Sequence, residues 1–307
     1  MPLERILITG GAGFIGSHIA DHYSGRCEVR ILDNLRSGHV TNLDGLDVEF
    51  VEGSVLDRRV VRQALDGVEA VFHLAALVSV PESMERPAEC VDINVHGLLT
   101  VLEEARDAGV RKLCFSSSAA VYGDDPEVPT SEEALPAPRS PYAITKLSGE
   151  HYCELFRREG WLNTACLRYF NVFGPRQDPN SQYAAAVPIF ITKALRKETL
   201  TIFGDGEQTR DFVFVKDVVA ANAHFAENPD LCGVYNVAYG GRRTVNDLAQ
   251  RILRLTGSKS TVVHAPERPG DVRHSCASVE RLSKTAFQGT ADFDSGLDQT
   301  IRAFRDA

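Results

Sequence analysis

The sequence predicts an α/β protein: a doubly wound parallel sheet, with a smaller C-terminal α/β substrate domain after it. Three observations carry that expectation. Short apolar runs alternate with helical patterns through the first half of the chain. The glycine cluster Gly11-Ala12-Gly13-Phe14-Ile15-Gly16 follows the first apolar run directly. Beyond Gly174-Pro175 the chain turns polar and turn-rich before regular elements resume.

The elements follow in order. Ile6-Leu7-Ile8 reads as a buried parallel strand. Thr9, Gly10 and Gly11 turn the chain, and Phe14-Ile15 opens a helix through His18-Ile19-Ala20. Glycines at 11, 13 and 16 fit the dinucleotide fingerprint: a tight turn, room for a pyrophosphate, and close helix–strand contact. The helix N-terminus offers phosphate its N–H donors and a positive dipole end. Val29-Arg30-Ile31-Leu32 is the second strand, and Asp33 ends it. A carboxylate there accepts from a ribose 2′-hydroxyl and repels a 2′-phosphate, which favours NAD over NADP. Arg36, three residues on, can soften that preference.

Residues 48–51, 70–74, 112–115 and 164–167 read as further buried strands, with helices near 58–65, 94–108 and 141–158 between them. Such alternation gives a Rossmann-type sheet covered on both faces, with ligands beyond the carboxyl ends of the strands. The glycine turn, Ser116-Ser117-Ser118 and Asn171 fall at those ends. Residues 1–171 are read as the nucleotide domain and 172–307 as the substrate domain, with segments near 211–240 packing back onto the first. The second part holds a helix near 184–196, a strand at 212–215 followed by another helix, and a helix N-terminus at Thr244 with Asp247 three residues on.

Tyr142 and Lys146 stand four residues apart, on one face of the 141–158 helix. An ammonium beside a phenol favours the phenolate, so the expectation is a Tyr142 that Lys146 and the positive ring of an oxidised nicotinamide together make acidic enough to act as a general base. Composition excludes other classes. A net charge of −9 argues against nucleic acid or an anionic membrane as partner. No apolar run is long enough to span a bilayer, and no leader pattern opens the chain. Seven scattered cysteines without a CxxC read as reduced thiols of a cytoplasmic protein, and no cluster has metal-ligand spacing.

Eight motifs stand in sequence: TGGAGFIGSH (9–18), DNLRSG (33–38), HLAA (73–76), FSSSAAVYG (115–123), SPYAITK (140–146), LRYFNVFGPRQDP (167–179), TRDFVFVKD (209–217) and RPGD (268–271). Together they resemble the extended short-chain dehydrogenase/reductase superfamily, closest to its UDP-sugar 4-epimerases. The resemblance spans nearly the whole chain. It implies a bound NAD, a homodimer joined through helices near 94–108 and 141–158, and the following roles. Tyr142 is the base for the sugar 4-hydroxyl, Ser118 bridges that hydroxyl and the phenol, and Lys146 holds the nicotinamide ribose. Gly10, Gly13, Phe14, Ile15, Gly16, Asp33, Asn34, Ser37, Gly38, Gly53, Ser54, Leu74, Ala75, Ala76, Asn94 and Tyr169 surround the cofactor. Asn171, Arg210, Arg268 and Asp271 hold the diphosphate and uridine, and Phe203 walls the uracil. Val78, Ala185 and Ser275 shape the sugar pocket. In such a site C4 is oxidised to a keto group, the sugar turns about its diphosphate, and reduction comes from the other face.

Two departures bear on the choice of chemistry and contacts. Relatives often carry Asp after the glycine at 53, where it meets adenine; here Ser54 follows. Nucleotide-sugar 4,6-dehydratases place an Asp-Glu pair after the active-site hydroxyl. Here Ala119 and Ala120 follow Ser118, and alanine moves no proton. A non-catalytic NAD-binding sensor has no use for Ser118, Tyr142 and Lys146 together. A small Ser275 favours the acetamido pair UDP-GlcNAc/UDP-GalNAc with UDP-Glc/UDP-Gal tolerated, and Val78 is a counter-signal toward the strict glucose/galactose alternative.

Overall fold

The computed structural model describes residues 3–124, 126–179, 185–267, 272–289 and 292–306. Its centre is a seven-stranded, all-parallel sheet. Strands β1 (Arg5–Thr9), β2 (Glu28–Asp33), β3 (Glu49–Glu52), β4 (Ala70–His73), β5 (Lys112–Ser118) and β6 (Asn163–Tyr169) lie in the order β3-β2-β1-β4-β5-β6. The seventh strand, Gly233–Val237, comes from far along the chain and pairs outside β6. The order reverses between β1 and β4, where Thr9 sits opposite both Leu32 and His73. A crevice opens at such a switch point, beyond the carboxyl ends.

Alternation along each strand builds two cores. Ile6, Ile8, Ile31, Phe72 and Leu167 point to the face packed by Ile19, Val218 and Phe225 of the helices Phe14–Tyr23 and Val215–Glu227. Leu7, Leu32, Val71, Leu113 and Phe115 point the other way, onto Val61, Leu98, Leu102 and Cys153. Those belong to the helices Arg58–Ala64, Gly97–Asp107 and Pro141–Arg158. Around Phe173, Phe190, Phe212, Phe214 and Phe293 lies a further core. It is built by short strand pairs and by the helices Ala186–Leu195, Val245–Thr256 and Phe293–Asp306. Thr244 caps its helix as the sequence predicts, accepting from Asp247 N at 3.0 Å.

Three of the differences from the expected extents have a clear structural cause. β5 does not end at Phe115; it runs through Ser118 because β6 keeps pairing, with Ser116, Ser117 and Ser118 opposite Leu167, Arg168 and Tyr169. The helix expected from 94 begins at Gly97, preceded by a wide π-type turn over Asp92–His96 that contains Asn94. The strand expected over 212–215 stops at Phe214, and Val215 opens the next helix.

Candidate active site

A cavity of about 600 Å³ opens at the carboxyl ends of β1, β2, β4 and β5. The glycine turn forms one wall for steric reasons. Gly10 has φ +71, and a Cβ there would lie 2.7 Å from Ala75 N. A Cβ on Gly16 would lie 2.3 Å from Gly10 O, so only glycine lets the helix Phe14–Tyr23 approach the turn. Gly13 caps this helix without a side-chain bond, and no acid sits in the first turn. Its leading amides therefore lack a side-chain acceptor and flank the cavity, a donor set suited to a diphosphate. Asp33 accepts from Ala12 N at 3.0 Å and Leu35 N at 2.8 Å, which locks the turn to the end of β2. A carboxylate has about four lone-pair sites, so acceptor capacity remains for ribose hydroxyls. These residues fit a dinucleotide.

Of the residues assigned to the cofactor, the lining holds Gly10, Gly13, Phe14, Ile15, Gly16, Asp33, Asn34, Ser37, Gly38, Gly53, Ser54, Leu74, Ala75, Ala76, Tyr142 and Tyr169. Asn94 and Lys146 lie one layer behind. Asn94 is buried, donates to Leu77 O at 3.1 Å and Thr145 Oγ1 at 3.0 Å, and accepts from Leu77 N at 2.7 Å. It pins the segment that carries Ala76 and Val78. Arg36 also lines the cavity, but its guanidinium is held by Glu89 and, at 2.8 Å, by Glu82. Its charge is thus already answered by carboxylates, against the softening of cofactor preference expected from sequence.

Ser140 accepts from Ala143 N at 3.2 Å and Pro141 follows it, a strong helix start that fixes Tyr142 in the first turn. Tyr142 and Ser118 both face the cavity. Lys146 is buried, donates from Nζ to Ser116 O at 2.6 Å, and lies 5.0 Å from the Phe115 ring centroid and 5.8 Å from that of Tyr142. Burial is the chief influence of the chain's own groups on this pair. Burial raises the Tyr142 phenol above its ordinary range, opposed by a hydrogen bond with Ser118. Burial likewise lowers Lys146 to about 8. For each group burial outweighs the contacts that favour its charged form, and the Lys146 ammonium is bonded to the Ser116 carbonyl.

The residues assigned to substrate divide. Val78, Ser118, Tyr142 and Ala185 line the cavity. Asn171, Phe203, Arg210 and Ser275 are not in its described lining. They are tied to the 208–211 segment: Asn171 N donates to Asp211 O at 3.1 Å, Ser275 N to Thr209 O at 3.1 Å, and the Gln208 side chain through Nε2 to Phe203 O at 2.7 Å. The Asp211 carboxylate accepts from the amides of Tyr239, Gly240 and Ala277. Arg268 and Asp271 lie outside the described residues. The lining adds residues not assigned from sequence, among them Ile93, Phe170, Gln177 and Asp178. Gln177 and Asp178 sit in the polar turn after Gly174-Pro175, where composition signals a loop and nothing says which way it faces. Among the described residues no group of acids, histidines and cysteines is arranged to hold a metal, and no helix is long and apolar enough to cross a membrane.

Comparison with known proteins places this geometry. Residues 6–238 match the NAD dependent epimerase/dehydratase family. A UDP-glucose 4-epimerase of Mycolicibacterium smegmatis is 37% identical over 311 residues, covering 98% of each chain. A solved UDP-N-acetylglucosamine 4-epimerase from Methanobrevibacter ruminantium, in complex with UDP-N-acetylmuramic acid, superimposes with a TM-score of 0.96 at 41% identity, covering 100% of this chain and 99% of that one. The UDP-glucose 4-epimerase of Thermotoga maritima, solved with UDP-glucose, gives 0.93 at 41% identity, covering 98% and 99%. With its parallel sheet, its dinucleotide cradle and a match running through most of its length, the chain belongs to the NAD-dependent epimerase/dehydratase family.

Proposed function

We propose that this protein is a UDP-sugar 4-epimerase that acts on UDP-GlcNAc/UDP-GalNAc and accepts UDP-Glc/UDP-Gal. The observation that carries the reading is Ser118 and Tyr142 facing one cavity with Ala120 beside them. Hydroxyl and phenol serve proton transfer at a sugar oxygen. The alanine offers no second acid or base for expelling water, so the reaction stops at oxidation and return. The named epimerases with similar sequence and structure support it.

The chain's residues divide the work as follows. The amides at Phe14–Gly16 would hold the dinucleotide diphosphate and Asp33 its ribose. NAD, when bound, supplies the oxidising and reducing equivalents at C4 and a positive ring near Tyr142. Tyr142 takes the O4 proton and returns it after the sugar has turned. Ser118 bridges O4 and the phenol. Lys146, anchored on Ser116 O, would hold the nicotinamide ribose and adds positive charge that opposes the upward push of burial on the phenol. Asn171, Arg210, Arg268 and Asp271 are assigned to the uridine diphosphate, which must stay fixed while the sugar moves. Residues 1–171 then serve mainly the cofactor and 172–307 the UDP-sugar, in a cytoplasmic homodimer joined through the helices near 94–108 and 141–158.

Small residues at 185 and 275 favour the acetamido pair. The strict glucose/galactose reading has Val78 in its favour, a branched side chain 59% exposed in the cavity lining. Incubating the purified protein with each UDP-sugar, without added cofactor, and separating the C4 epimers tests both. We expect interconversion of both pairs. Ser275→Tyr is expected to lower kcat/KM on the acetamido pair at least ~10-fold more than on the plain pair, since a bulky ring leaves no room for the extra group. Equal loss on both removes Ser275 from the sugar pocket, and no epimer from any UDP-sugar removes the activity itself.

A further inference from the structure

We infer that Glu82 and Glu89 set the cofactor preference together with Asp33, by holding the Arg36 guanidinium against themselves and denying it to a ribose 2′-phosphate. Asp33 and Arg36 stand three residues apart at the end of β2, and both line the cofactor cavity. They favour opposite ligands. A carboxylate selects a 2′-hydroxyl, whereas an available guanidinium makes strong forked bonds to phosphate. In this chain Arg36 Nη2 donates to Glu82 Oε1 at 2.8 Å and Nη1 donates to Glu89 Oε1.

The two carboxylates come from different helices, and the local sequence sets each one there. Glu82 lies in the first turn of Val80–Glu85, whose Ser79 cap accepts from Glu82 N at 3.1 Å. Glu89 lies in the first turn of Pro87–Val91, where it also meets Arg86 at 3.5 Å. Acids are favoured at both places by the helix dipole. The three side chains that form the pincer keep 32%, 32% and 37% of their surface exposed, so its contribution to stability is small. Its effect lies in charge and direction. Asp33 and Arg36 line the cavity, and the donors of that guanidinium point at Glu82 and Glu89, which lie outside the lining. A dinucleotide carrying a 2′-phosphate meets net repulsion, and one with a free hydroxyl does not. Without Glu82 and Glu89 the same Arg36 becomes a phosphate ligand.

This inference rests on the dinucleotide site and not on the epimerase reading, so its test reads bound nucleotide rather than turnover. Purified wild type, Glu82→Gln/Glu89→Gln, and that pair combined with Arg36→Gln are each incubated with equimolar NAD and NADP. Incubation continues until isotope-labelled NAD in a parallel sample has replaced the cofactor bound at purification. The nucleotides are then released by denaturation and separated by ion exchange. The double variant is expected to raise the bound NADP-to-NAD ratio at least ~10-fold, a modest share of what a charge-assisted phosphate contact contributes. Adding Arg36→Gln is expected to return the ratio to within about twofold of wild type. An unchanged ratio in the double variant overturns the inference. So does a rise that survives the loss of Arg36, since it would belong to general charge and not to the pincer. Glutamine keeps the shape and surface position of glutamate, and circular dichroism of all three proteins verifies the fold.

Discussion

The segments that line the cofactor cavity and the segments assigned to uridine diphosphate are built on different principles. The cofactor wall rests on strand ends: the glycine turn after β1, Asp33 at the end of β2, Leu74-Ala75-Ala76 after β4 and the serines of β5 all come to one edge of one sheet. Their positions follow from sheet register. The residues assigned to uridine diphosphate hang on short pairings, such as Thr209–Arg210 with Arg243–Thr244 and Asn171–Phe173 with Phe212–Phe214. A site of the first kind is preformed by the main core, and chemistry belongs there. A site of the second kind can adjust with its ligand, which suits the substrate role proposed for it.

The division predicts that variants on the two walls fail differently. Tyr142→Phe, on the sheet side, is expected to keep bound NAD and normal UDP-sugar affinity while losing at least ~100-fold in kcat, the lower range for a missing general base. Nucleotide content, calorimetric titration with a UDP-sugar and steady-state rates check it together. Near-normal turnover would move proton transfer to another group, and loss of NAD along with rate would make Tyr142 a structural residue.

Arg210→Gln, on the other wall, is expected to weaken UDP-sugar binding ~10-fold with a smaller change in kcat and no change in NAD content, since one charge-assisted contact to a diphosphate is removed. The cleanest probe is UDP itself, which carries the diphosphate without the reacting sugar. If affinity for UDP is untouched while kcat collapses, the two walls do not divide as described and Arg210 belongs with the chemistry.

The same contrast explains what was legible in the sequence. Gly13, Gly16 and Asp33 were readable because their signal is local: a turn, a helix start and a strand end within one βαβ unit; Gly11 of the same fingerprint is not in the lining, where Gly10 stands instead. Tyr142 and Lys146 were readable because helical spacing sets their direction. The burial of that pair and the bond to Ser116 O were not, because β5 brings that carbonyl from thirty residues upstream. The extension of β5 depended on its neighbour β6 and not on its own composition. Asn94 sits in a wide turn whose irregularity has no sequence period. The partners of Arg36 lie on helices 46 and 53 residues away, beyond any local pattern. Gln177 and Asp178 face the cavity from a loop fastened by Arg176 Nη1 to Ser17 O at 3.0 Å and by His18 Nε2 to Pro175 O at 3.0 Å, contacts that only the tertiary fold creates.

The smallest expected effect concerns stability on the chemical wall. Burial lowers Lys146 from its ordinary 10.5 to about 8, so holding its charge near neutral pH costs the folded state about 3 kcal/mol. The bond to Ser116 O and the contact with Phe115 offset part of that cost. The folded value is the depressed one, so between about pH 8 and 10.5 the native state binds fewer protons than the unfolded chain. Stability attributable to this group therefore rises with pH across that window. Lys146→Met removes the charge and keeps most of the stem. It is expected to abolish activity yet melt at or a few degrees above wild type at pH 7, a gain that shrinks as both proteins are taken toward pH 10. Paired melting curves at several pH values read the difference directly and cancel the titration of other lysines. A variant that melts clearly below wild type at pH 7 would show that Lys146 is held for the fold's sake and not against it.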